Sequence, residues 1–158
     1  MSRILARFAI VLAGYAVAAL AASAFLNLLV LGALELSPEE ASFVMAGPIF
    51  ISVPVIALFI SYFAFFPSIA VILFSETSGK RDWLFHSIAG GGVGAIVVWL
   101  FWFASGPEAG LGGAEIDLSL IFAVVGSGMV GGIAYWLVAG RSAGSWRGDD
   151  RAISSGPS

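Results

Sequence analysis

Charge in this chain is confined to the gaps between four uncharged stretches, Phe8 to Leu34, Ala41 to Ser75, Trp83 to Pro107 and Leu118 to Gly140. They run to 27, 35, 25 and 23 residues, and each exceeds the roughly 20 apolar residues that carry a helix across a bilayer. The pattern predicts an all-α polytopic membrane protein with four transmembrane helices. Short connections favour antiparallel neighbours, hence an up-down-up-down bundle. The spans are expected at about 8–34, 48–74, 83–103 and 118–138, in one domain over residues 1–140. Residues 141–158, rich in Ser, Gly, Arg and Asp, read as a flexible tail. Only 11% of residues are charged and 59% are apolar, against about 25% charged in a soluble domain, so water is the wrong solvent for this chain.

The net charge of −3 averages over two membrane faces and conceals the sign of each. All seven Lys and Arg residues fall in alternate gaps: Arg3 and Arg7, then Lys80 and Arg81, then Arg141, Arg147 and Arg151. Glu35, Glu39 and Glu40 occupy one intervening gap, and Glu108, Glu115 and Asp117 the other. The positive-inside rule therefore predicts cytoplasmic termini, a cytoplasmic Lys80 loop and two acidic outer loops. Arg3 and Arg7 ahead of an apolar run containing Ala21-Ala22-Ser23-Ala24 also fit a cleavable signal. The uncharged run continues to Leu34, however, long enough to stay as an anchor, and retention is the expectation.

The second stretch is too long for a simple span, because 35 helical residues would measure about 52 Å against a hydrocarbon core of about 30 Å. Ser37-Pro38-Glu39-Glu40 reads as a capping box with proline at the first helical position, which predicts a short outer-surface helix over residues 38–46. Pro48, after Gly47, then turns the chain into the bilayer. Pro54 and Pro67 fall inside the span as kink candidates, since each removes an internal hydrogen bond. Ser52, Ser61 and Ser68 are placed to satisfy backbone groups locally.

Small residues carry the packing signal, because helices in lipid associate through close backbone approach. Gly90 and Gly94 in the third span, with Gly128 and Gly132, and Ser127 and Gly131, in the fourth, share a four-residue spacing. They predict a tight crossing of these two helices, or equally contacts between protomers. In the first span Ser23 and Asn27 lie on one face, and Asn27 calls for an interhelical hydrogen bond or, as the sharper alternative, a polar contact for a solute. Trp83 and Trp136 near one boundary, and Trp99 and Trp102 near the other, read as interfacial anchors.

Reactive groups are missing from the spans. No Asp, Glu, Lys or Arg lies inside them, although proton-coupled transporters use such groups. Paired acids, a serine with its base, and metal-binding motifs are not evident. The one histidine, His86, sits one turn after Lys80-Arg81-Asp82 and is expected at the membrane interface; Asp82 is a candidate helix cap. Cysteine is absent, which removes disulfides and thiol chemistry. The seven cations are too scattered for a nucleic-acid surface. The reading assigns no catalytic, cofactor-binding or metal-ligating residue, no small-molecule ligand, and no partner beyond the bilayer and other membrane chains, or a second copy.

The run Pro67-Ser68-Ile69-Ala70-Val71-Ile72-Leu73-Phe74-Ser75-Glu76, followed by Arg81-Asp82-Trp83-Leu84-Phe85-His86 and Ala89-Gly90-Gly91, resembles small uncharacterised four-span inner-membrane proteins of alphaproteobacteria. The resemblance implies a bacterial inner membrane and carries over no functional residue. Composition and packing signals together predict a non-catalytic integral membrane protein, an accessory or structural subunit acting through helix packing. An oligomeric channel or transporter for a small solute is the alternative.

Overall fold

The computed structural model describes residues 2–34, 36–105 and 118–143. The chain is all-helical across them: α1 (Ser2–Ala33), α2 (Pro38–Ala46), α3 (Pro48–Ser78), α4 (Trp83–Ser105), α5 (Leu118–Val138) and a single 3-10 turn at Gly140–Ser142. α1, α3, α4 and α5 are each long and apolar enough to cross a bilayer, so the chain is an integral membrane protein of four spans. The acidic Glu108–Asp117 loop, Glu35, and residues 144–158 of the expected tail lie outside the described residues.

α2 begins at Pro38 because its first turn is capped on both sides. The Glu40 amide donates to the Ser37 hydroxyl at 3.3 Å, and the Glu40 carboxylate accepts from the Ser37 amide at 3.0 Å. That backbone hydrogen bond, with help from the Ser37 hydroxyl, holds the Glu40 carboxyl below its ordinary pKa. α3 then runs unbroken through Pro54 and Pro67 to Gly79, whose φ of 63° places it in the left-handed region and whose amide closes on the Ser75 carbonyl. Glycine ends a helix there without the steric cost other residues meet. At the start of α4, Asp82 Oδ1 accepts from the Leu84 amide at 3.2 Å, the capping role its sequence position suggested.

The four long helices form a ring in which α5 packs against both α1 and α4, and α3 against α1 and, more lightly, α4. The α4–α5 crossing is the tightest. A Cβ on Gly90 would overlap the Gly128 carbonyl, one on Gly132 the His86 carbonyl, and one on Gly94 would lie 2.9 Å from the Val124 carbonyl oxygen. Gly131 differs: it faces α1, 3.0 Å from the Ala18 carbonyl by the same measure, and Ser127 is buried with its hydroxyl donating to Val124 of its own helix. The α1–α5 contact rests on Gly14, Ala18 and Ala22 against Tyr135, Ala139 and Gly131. Large apolar side chains such as Leu58, Phe66, Phe103 and Phe122 point outward, the arrangement expected where lipid is the solvent.

Candidate functional site

Polar side chains inside the bundle act first as stitches. Ser23, fully buried, donates to the Val53 carbonyl at 2.7 Å, and the Tyr15 hydroxyl donates to the Ser61 carbonyl at 2.6 Å. Asn27 donates to the Ser23 carbonyl of its own helix at 2.9 Å and accepts from Ser52 of α3 at 2.8 Å. α1 is thus fastened to α3 by three bonds, at Ser52 and Val53 before Pro54 and at Ser61 after it. Such bonds are worth about 0.6–2 kcal/mol each in a membrane.

At the opposite end of the bundle from α2, charges converge that are far apart in sequence. Arg7 of α1 forms a two-pronged ion pair with Glu76 of α3, through Nε to Oε2 at 3.3 Å and a shorter Nη2 to Oε1 contact. Its Nη1 donates to Ser142 Oγ at 2.6 Å, and Nη2 also reaches the Ala139 carbonyl at 3.2 Å. The side chains are only 15% and 14% exposed. One guanidinium therefore joins α1, α3 and the turn after α5. Arg81 adds a bond from Nε to the Ala143 carbonyl at 2.8 Å, and Trp136 donates to the Arg81 carbonyl at 2.7 Å. Of the residues expected in the tail, Ser142 is held by Arg7 and Ala143 is fully buried.

His86 sits just inside this network, at the end of the bundle where the sequence places it, and it is buried there. It is 2% exposed, because Gly132 and Gly140 lack the side chains that would occupy its place. Its Nδ1 donates to the Asp82 carbonyl at 2.8 Å, which leaves Nε2 as the acceptor nitrogen. The ring stacks on Tyr135 at 5.7 Å between centroids. Neither Nε2 nor the Tyr135 hydroxyl has a hydrogen-bond partner among the described residues. Both residues line a cavity of about 90 Å³ to which all four long helices contribute, with Ala64 and Ser68 of α3 and Gly128 of α5 among its other walls. One acceptor and one hydroxyl at its edge suit a small hydrogen-bonding molecule such as water, which needs two to four polar partners.

The arrangement offers positioning and hydrogen bonding, and among the described residues there is no group of three side chains able to hold a metal ion. Gly90, Gly94, Gly128 and Gly132 are gathered at one helix crossing, while Ser23 and Asn27 are gathered with Ser52 and Val53 at the α1–α3 seam. The Arg7–Glu76 pair and the Gly14 face of α1 were not anticipated. The spacing Gly14, Ala18, Ala22 was available as a signal of the latter. No family model, curated protein or solved structure matches the chain.

Proposed function

We propose that this protein is a non-catalytic accessory or structural subunit of a membrane assembly, engaging a partner helix through the outer face of α3. The observation that carries the reading is Tyr62. Its residue is 77% exposed, and it stands fourteen residues from both Pro48 and Glu76, about 21 Å from each. That is the middle of a core about 30 Å thick, too deep for a phenol to reach either headgroup layer. Tyrosines facing lipid belong at the interface, where the hydroxyl meets water. At the midplane an unbonded hydroxyl costs about 4–8 kcal/mol on the water-to-cyclohexane scale. A partner helix presenting a carbonyl, hydroxyl or amide relieves that cost, and Leu58, Phe59 and Phe66 flank Tyr62 as an exposed apolar ridge. The cavity between the helices, about 90 Å³ in volume and lined in part by the His86–Tyr135 pair, weighs less for a conduit.

The chain lacks cysteine, so Tyr62→Cys introduces a unique thiol. Attached to a benzophenone in native membranes, it is expected to cross-link to one defined protein band; mild oxidation yielding a disulfide-linked dimer would identify that partner as a second copy. Cross-links to lipid alone would defeat the reading.

The proposal places the protein in a bacterial inner membrane with both termini cytoplasmic. Arg7, Lys80, Arg81 and Arg141 share one end of the bundle with the Glu76 pair, while Glu39 and Glu40 sit at the other, as a positive-inside arrangement requires. A thiol placed by Lys80→Cys should resist an impermeant maleimide in intact spheroplasts and react once they are opened. Labelling of intact spheroplasts would reverse the orientation.

A further inference from the structure

We infer that the cleft between α1 and α3 is a binding site for one acyl chain of a glycerophospholipid, with the lipid phosphate meeting Arg7. The cleft has a volume of about 540 Å³ and is walled by Phe8 and Leu12 of α1 and by Phe65, Ile69 and Leu73 of α3. Arg7 and Glu76 close one end of it. From Glu76 to Phe65 it follows eleven residues of α3, about 16 Å at the helical rise, and half of the hydrocarbon core is about 15 Å. The depth is that of a single leaflet.

The volume of about 540 Å³ lies along a groove bordered by apolar side chains of both helices, which a flexible hydrocarbon chain can follow. Polarity runs the same way as in an amphiphile, with apolar walls along the depth and charge at the headgroup level. The Tyr15 hydroxyl at the deep end is already bonded to the Ser61 carbonyl, so no polar group there repels a methylene chain.

The charged end retains a donor. Of the five guanidinium N–H groups, four are used: by both Glu76 oxygens, Ser142 and the Ala139 carbonyl. The remaining Nη1–H has no partner among the described residues, and a phosphate oxygen at headgroup depth can accept from it. A guanidinium–phosphate hydrogen bond is charge-assisted and stronger than a neutral one.

The test is photo-labelling in vesicles of phosphatidylethanolamine and phosphatidylglycerol containing a trace of phospholipid with a diazirine in one acyl chain. Peptides carrying Phe65, Ile69 and Leu73 should be labelled well above those carrying Leu100 and Phe122, which are also exposed. Filling the cleft from either wall, by Ile69→Trp or Leu12→Trp, should abolish the excess, and Leu100→Trp should leave it intact. Diacylglycerol with the same diazirine chain, lacking the phosphate, should label the cleft about fivefold less, the factor one basic side chain at a lipid surface supplies. Even labelling of all outward faces, an excess that survives either cleft-filling tryptophan, or equal labelling by diacylglycerol would overturn the proposal.

Discussion

Alanine at Gly90 is expected to destabilise the bundle by about 2–3 kcal/mol, the upper range for forcing extra volume into a packed site. The same change at Gly92 is expected to be neutral or to stabilise by up to about 1 kcal/mol, the helix-propensity gain of alanine over glycine. The two positions are two residues apart on one helix. A methyl group on Gly90 meets the Gly128 carbonyl head-on and lies 3.0 Å from the Gly132 Cα, all of it backbone that cannot rotate away. A methyl group on Gly92 meets nothing within 4 Å. Separating α4 from α5 to admit the Gly90 methyl loosens packing along the whole crossing, including the Gly94–Val124 contact. Titration of folded protein with a denaturing detergent, followed by the near-ultraviolet signal of its tryptophans, reads both variants on one scale. Equal midpoints for the two would show that the crossing is not the close backbone contact described.

The four spans were legible because hydropathy in a bilayer acts on every residue of a segment, and twenty consecutive choices leave little ambiguity. α2 was legible for a local reason, since Ser37, Pro38 and Glu40 satisfy one another within a single turn. The glycine spacing in α4 and α5 announced a close approach but not its partner: Gly128 and Gly132 turn to α4, whereas Gly131, one position from Gly132, turns to α1. Alanine hides the α1 face, because it is a common helix former as well as a packing residue, and Ala18 and Ala22 do not stand out in a run rich in alanine. The burial of His86 depends on Gly132 and Gly140, some fifty residues away, which no local pattern encodes. A lone polar residue such as Tyr62 becomes informative only once its depth and direction are known.

The Arg7–Glu76 pair was illegible for the same reason, being separated by 69 residues, and it sets up the second large effect. Glu76→Gln is expected to destabilise the bundle by about 3–5 kcal/mol, the cost of leaving one member of a buried pair without its counter-charge. Arg7→Met should also destabilise, by removing the guanidinium that joins α1, α3 and the turn after α5. The double variant Arg7→Met with Glu76→Met should lose much less than the sum, since an apolar pair of similar volume often replaces a buried ion pair at little cost. Two of the groups Arg7 contacts can do without it: Ser142 Oγ already donates to the Ala139 carbonyl at 3.1 Å, so removing the guanidinium leaves that bond in place. The coupling between the two sites, measured as the departure of the double variant from additivity in the same detergent titration, should therefore exceed about 2 kcal/mol, within the range found for residues sharing one polar network. Additive losses would mean that α1 and α3 are held at this end by the apolar walls of their cleft, with the ion pair contributing nothing of its own.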